Sequence, residues 1–148
     1  MSVTFNHTGI TVKDLDHSEA MFRDLFGFET ISRAARDPQI ISKVIGVEGA
    51  KVEIAYMRSS TTTVELLCYS APNDQKTYTP RACDLGSLHL GFNVPDMDAA
   101  LEKAKKYALN LMGAVVIIDA GPNKGSRIAY LRDPVDGVVL ELIQPPLK

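Results

Sequence analysis

The stretch Asn6-His7-Thr8-Gly9-Ile10-Thr11-Val12-Lys13-Asp14-Leu15-Asp16 can be laid over Leu88-His89-Leu90-Gly91-Phe92-Asn93-Val94-Pro95-Asp96-Met97-Asp98 with His, Gly, Val, Asp and Asp coincident, at an offset of 82 (89 − 7). A second correspondence sets Val64-Glu65-Leu66-Leu67 over Leu140-Glu141-Leu142-Ile143, at an offset of 76 (141 − 65). Two copies are too few for a solenoid, which needs at least about three repeats to bury a continuous core. The repeat therefore implies one domain made of two similar modules, residues 1–70 and 86–148. The Pro-, Asn-, Asp- and Thr-bearing segment 71–85 is the connection.

Working outward from the repeat, Val3 to Val12 and Ser87 to Val94 alternate with period two and predict strands. In the second, Leu88, Leu90, Phe92 and Val94 share one face, and Ser87, His89, Gly91 and Asn93 the other. An Asp-rich start and a helical pattern follow each. In the first module Asp16 with Glu19 resembles a capping box, Leu15, Phe22, Leu25 and Phe26 form an apolar stripe, and Gly27 supplies the stop. In the second, Asp96 or Asp98 caps a helix that turns Met97, Leu101, Ala104 and Ala108 inward. Strand-like runs come next: Phe28 to Arg33, Lys51 to Met57 and Thr62 to Tyr69, then Ala114 to Ile118, Arg127 to Arg132 and Val138 to Ile143. Asp133-Pro134-Val135-Asp136-Gly137 marks the last turn. The expected class is α+β, with βαβββ written twice. The segment from Ala34 to Ile45 shows no pattern that predicts an element.

Composition excludes several functions. The 148 residues carry 16 Lys and Arg against 18 Asp and Glu, a formal charge of −2 that offers no cationic footprint for nucleic acid or an anionic membrane. No run approaches the roughly 18 apolar residues of a membrane span, and the N-terminus has no basic segment leading into an apolar one. Cys68 and Cys83 lack a CxxC spacing and are expected to be reduced, as in a cytoplasmic protein. A hydrophobic fraction of 45% is ample for an ordinary folded core.

The repeated polar residues point to chemistry. His7 and His89 each precede a Gly by two positions, on a face where a missing side chain leaves room above the sheet. Glu65 and Glu141 sit among apolar neighbours, where an unpartnered carboxylate costs several kcal/mol, so each requires a cation, a hydrogen-bonding network or a water-lined cavity. Two imidazoles and two carboxylates brought together suit a divalent metal with positions left open for water or substrate. A single strand His or Glu is ordinarily no ligand; recurrence of both types at matching places is what favours the metal. His17, on the first helix, is assigned no role.

These residues resemble the vicinal oxygen chelate superfamily, the group of glyoxalase I, methylmalonyl-CoA epimerase, extradiol dioxygenases, fosfomycin-resistance and bleomycin-binding proteins. The likeness runs through the His-x-Gly strand with its Asp-Leu-Asp helix start, the Val-Glu-Leu-Leu strand, the His-Leu-Gly-Phe-Asn-Val strand and the closing Asp-Pro-x-Asp-Gly-Val-Val-Leu-Glu-Leu-Ile. It implies paired βαβββ modules forming a curled mixed sheet around a metal-binding cleft. It also implies a homodimer and a single divalent ion (Ni, Co, Mn, Fe or Zn) held by His7, Glu65, His89 and Glu141.

The superfamily shares stabilisation of negative charge on a chelated substrate oxygen, and membership does not choose the reaction. Bacterial glyoxalase I usually has Arg four residues after the first ligand; here that residue is Thr11. Extradiol dioxygenases and fosfomycin-resistance proteins use three protein ligands. Methylmalonyl-CoA epimerase is closer in the middle of the chain, where Glu48 falls at the position of a proton-transfer base, although that family commonly has Gln where this chain has Glu65. The resemblance thus favours an epimerase or isomerase acting next to a chelated carbonyl, with Glu48 and Glu141 as the catalytic acids. The substrate would be a small molecule such as an acyl-CoA. The alternatives are a glyoxalase-like lyase acting on a thiol adduct and a non-catalytic small-molecule-binding protein. Arg127 and Lys124, near the loop Gly121 to Gly125, could meet an anionic substrate tail or simply be solvated.

Overall fold

The computed structural model describes residues 2–146. The described chain divides into two compact units, one up to Lys76 and one from Thr77.

The first unit runs β1 (Thr8–Thr11), α1 (Leu15–Phe26), β2 (Glu29–Ala35), α2 (Pro38–Ile45), β3 (Lys51–Arg58) and β4 (Thr63–Ala71). Its sheet has the order β1-β4-β3-β2, with β1 parallel to β4 and the other pairs antiparallel. Alternation in β3 and β4 puts Ala55, Met57, Val64 and Leu66 on one buried face, and α1 adds Leu15, Met21 and Phe22 to the core; Val52 and Ile54 are also buried but lie on the opposite face, that of Tyr56 and Glu65. Phe22 is fully buried and packs edge-on against Phe28 at 5.5 Å. Burial of such a ring contributes about 1.5–3 kcal/mol.

The caps of α1 differ from the expectation at one end. Asp14, in extended conformation, accepts the His17 N–H at 3.2 Å and is the N-cap; Asp16 is already helical. Glu19 does not close a capping box: Thr30 donates to its Oε1 at 2.5 Å and Arg33 to its Oε2 at 2.8 Å. Gly27 ends the helix at φ 68° as expected. The strands expected from Val3 and Ser87 begin only at Thr8 and Leu90, so both histidines stand immediately before a strand.

Helix α2 was not expected. Asp37 accepts the Gln39 and Ile40 N–H groups, Pro38 occupies the first turn, and Gly46 closes the helix at φ 70°. It buries none of its residues, and Ile40 and Val44 are 64% and 74% exposed. End signals rather than a buried stripe define it.

The second unit runs β5 (Leu90–Asn93), α3 (Met97–Lys105), β6 (Asn110–Leu111), β7 (Val116–Ile117), β8 (Arg127–Arg132) and β9 (Val139–Gln144). The order is β5-β9-β8-β6, with β7 also on β8 and β5 parallel to β9. Met97, Ala104, Ala129, Leu131, Leu140 and Leu142 fill its core. Asp96 caps α3 by accepting the Ala99 N–H at 3.0 Å, with backbone angles of −142° and 113° against −143° and 114° at Asp14. The offset of 82 thus joins two N-caps. Ala108, expected on the inner face of this helix, lies beyond its end at φ 55° and is exposed.

Each unit therefore carries its own mixed sheet, with two helices in the first and one in the second, and its first strand lies parallel to its last. Among the described residues no helix is long and apolar enough to cross a membrane. Cys68 and Cys83 form no disulfide.

Candidate metal-ligand pairs

The parallel ladder in the first unit sets Gly9 beside Glu65. His7, two residues before Gly9, falls on the same face, and its Nε2 lies 3.1 Å from Glu65 Oε2. The Asn6 side-chain oxygen lies 2.6 Å from His7 Nδ1. That oxygen can only accept, so Nδ1 carries a proton toward it and Nε2 is the ring nitrogen that faces the carboxylate. A methyl group on Gly9 would stand 3.5 Å from Glu65 Oε2, in ordinary contact, so the carboxylate alone does not demand glycine there.

The second unit repeats this construction. Gly91 pairs with Glu141, and His89 Nε2 lies 3.2 Å from Glu141 Oε2. Both carboxylates are largely enclosed, with 13% and 16% of the side chain exposed, whereas His7 and His89 keep 30% and 46%. The pairs are thus open on the imidazole side.

A third residue joins each pair. Tyr56 lies opposite Glu65 in the β3–β4 ladder and its hydroxyl donates to Glu65 Oε1 at 2.5 Å. Tyr130 lies opposite Glu141, with its hydroxyl 3.5 Å from His89 Nε2. Each phenol ring also meets its imidazole edge-on, with centroids 5.6 and 5.1 Å apart. Both phenols are pushed above their usual range: Tyr56 mainly by its hydrogen bond to Glu65 and then by burial, Tyr130 mainly by burial and then by the Glu141 charge. They stay protonated donors at neutral pH. Sequence reasoning missed both tyrosines. A signal was present: Ala55-Tyr56-Met57-Arg58 matches Ala129-Tyr130-Leu131-Arg132 at an offset of 74 (130 − 56).

The structure brings His7 to Glu65 and His89 to Glu141. Among the described residues no three His, Cys, Asp or Glu side chains gather as a metal-holding group. The donor chemistry nevertheless fits a divalent cation: in each pair an imidazole nitrogen and a carboxylate oxygen converge, and in the first the Tyr56 hydroxyl also orients the carboxylate. Glu48 stands elsewhere, exposed in the turn before β3. That turn enters β3 at Lys51, about 17 Å along the strand from Tyr56 at the usual rise per residue. Arg127 is committed to Asp98, reached by two nitrogens at 2.8 Å each.

Two α+β units, each closing a parallel first and last strand around a His–Glu pair, define a paired-module fold. The chain belongs to the Glyoxalase/Bleomycin resistance protein/Dioxygenase superfamily, which residues 6–130 match. A glyoxalase family protein from Bacillus cereus has a similar structure, with a TM-score of 0.82 and 23% identity over 99% of this chain and 97% of that one. The fosfomycin resistance protein FosX of Listeria monocytogenes, in complex with Mn(II) and sulfate, gives 0.62 and 17% over 99% and 96%. The trypanothione-dependent glyoxalase I of Leishmania major gives 0.63 and 21% over 97% and 87%. No curated protein matches the sequence.

Proposed function

We propose that His7, Glu65, His89 and Glu141 are ligands of a divalent metal ion (Ni, Co, Mn, Fe or Zn) and that the chain is an enzyme moving a proton next to a chelated carbonyl, as an epimerase or isomerase. The observation that carries this reading is the recurrence of one His–Glu–Tyr arrangement in both units, with His-to-Glu distances of 3.1 and 3.2 Å. Each pair supplies half of a four-ligand set; the complement comes from the other pair, of this chain or of a second copy in a homodimer. The metal, when bound, supplies Lewis acidity that stabilises charge developing on the substrate oxygen.

The protein's own part is to hold ligands and carry the proton. Tyr56 donates to Glu65 and so leaves its other oxygen, Oε2, for coordination. Of the two acids expected to transfer the proton, Glu141 belongs to a ligand pair and is largely enclosed, while Glu48 is exposed at the far end of β3 from the His7–Glu65 pair. The proton step is therefore placed on Glu141. A small carbonyl compound, such as an acyl thioester, is the substrate class, and the setting is a cytoplasm with reduced thiols.

Metal content of purified protein tests the first step. Wild type is expected to retain a divalent ion and His89→Ala to lose it; a wild type that takes up no divalent ion overturns the proposal. Deuterium exchange into the α-position of an acyl-CoA tests the second. Exchange that is lost in Glu141→Gln and kept in Glu48→Gln supports this assignment, and turnover of a hemithioacetal without exchange into acyl-CoAs replaces it with the lyase.

A further inference from the structure

The face of the first sheet that carries the His7–Glu65 pair continues past it. In the β3–β4 ladder Tyr56 lies opposite Glu65, and the next pair on the same face is Arg58 opposite Thr63, one pleat or about 7 Å further on. Met57 and Val64, between them, are buried, so alternation places Arg58 and Thr63 with Tyr56 and Glu65. Here the structure has a cleft of about 230 Å³, walled by Phe5 and Asn6 on one side and by Arg58 to Thr63 on the other.

Its chemistry is that of an anion receptor. Among the described residues Arg58 is the one arginine that gives its guanidinium to nothing: Arg33 binds Asp16, Glu19 and Glu53, Arg81 binds Asp84, Arg127 binds Asp98, Arg23 binds Asp24, and Arg36 and Arg132 reach backbone carbonyls. Ser59 is spent on its own turn, where its hydroxyl accepts the Thr61 and Thr62 N–H groups. Ser60, Thr61, Thr62 and Thr63, all hydroxyl-bearing, line the cleft as well. Asn6 uses its oxygen on His7 and keeps its amide N–H groups to donate. No carboxylate lines this cleft.

The repeat supplies an internal control. Arg132 and Val139 occupy the matching position in the β8–β9 ladder, beside Tyr130 and Glu141. There Val139 replaces the threonine hydroxyl, and a guanidinium nitrogen of Arg132 donates to the Pro80 carbonyl. The same Arg is closed off in one unit and, in the other, is open and stands across the ladder from a threonine.

We propose that Arg58, Thr63 and Asn6 form a subsite for an oxyanion, a carboxylate or phosphate-type group, at the far end of a substrate whose reacting end lies at the His7–Glu65 pair. The planar guanidinium matches two oxygens of such a group, and the hydroxyl and amide donors take the rest. The substrate role rests on the metal-enzyme reading; the anion site itself does not.

Titration of the full-length protein with inorganic phosphate, followed through backbone amide resonances, tests it. Wild type is expected to shift at Arg58 and Ser60 to Thr63, with no saturable shift at Arg132. Arg58→Gln should weaken binding by about tenfold or more, Arg58→Lys less, and Thr63→Val by a few fold, since charge-assisted bonds to the guanidinium dominate. Metal content is measured on the same samples. Loss of phosphate binding in Arg58→Gln with metal content unchanged supports the subsite. Phosphate binding through Arg58 in a wild type that holds no metal also supports it, while overturning the metal reading. Phosphate shifts that are absent, or unchanged in both Arg58→Gln and Thr63→Val, overturn the subsite whatever the metal content.

Discussion

Tyr56 stands directly across the β3–β4 ladder from Glu65, and its hydroxyl donates to Glu65 Oε1 at 2.5 Å while Glu65 Oε2 faces His7 at 3.1 Å. The carboxylate is thereby divided, one oxygen for the phenol and one for the imidazole side. Tyr56→Phe keeps the ring and removes the donor. It is expected to cost about 1 kcal/mol of stability and to weaken divalent-metal affinity by about 10- to 100-fold, read by competitive metal titration. Tyr130→Phe should do less, because its hydroxyl lies 3.5 Å from His89 Nε2, a longer contact than that of Tyr56 with Glu65.

Phe22 links α1 to the first sheet. It is fully buried and touches both Phe26 and Phe28. Phe22→Ala should destabilise the protein by about 3–5 kcal/mol, the range for a large buried ring replaced by a cavity. Denaturant unfolding measures it; an effect below that of an exposed substitution such as Val44→Ala would contradict the packing.

Gly137 and Gly27 separate two costs of a side chain. Both have positive φ, 77° and 68°. A methyl group at Gly27 meets nothing within 4 Å, whereas one at Gly137 would stand 2.5 Å from the Tyr78 carbonyl oxygen. Gly27→Ala should therefore cost about 1 kcal/mol from backbone strain, and Gly137→Ala roughly 2–4 kcal/mol, since the carbonyl must also move. Equal losses would show that the turn around Asp133 yields freely.

Asp98 is held below its ordinary value of 3.8 by its hydrogen bonds to Arg127. A depressed carboxyl stabilises the fold at pH above its unfolded value and loses that contribution as pH falls through its lower folded value. Arg127→Gln should return Asp98 toward 3.8 in an NMR titration and remove its share of the acid dependence. The change in stability at neutral pH should be small, because the pair is exposed.

Much of the architecture was legible in local pattern. Asp96, one of the two expected caps, does cap α3, and Glu65 and Glu141 lie in strands that alternate as written, whereas α1 is capped by Asp14 rather than the expected Asp16. At α1 a nonlocal partner overrides the local pattern. Glu19 looked like a capping-box acid, but Arg33 and Thr30 of β2 claim it. α2 was missed because it buries nothing, although Asp37-Pro38 and Gly46 announce its ends.

Repetition and alternation are properties of neighbouring residues, so the chain order alone told of two modules, of strands, and of four residues that recur as His and Glu. Which side chains meet depends on how strands are aligned, and alignment is set by hydrogen bonds between segments far apart in the chain. The match of Ala55-Tyr56-Met57-Arg58 to Ala129-Tyr130-Leu131-Arg132 acquires meaning only when register sets each tyrosine against a glutamate. The same holds for the two arginines: a distant carbonyl, that of Pro80, closes one, and the hairpin facing Phe5 and Asn6 leaves the other open.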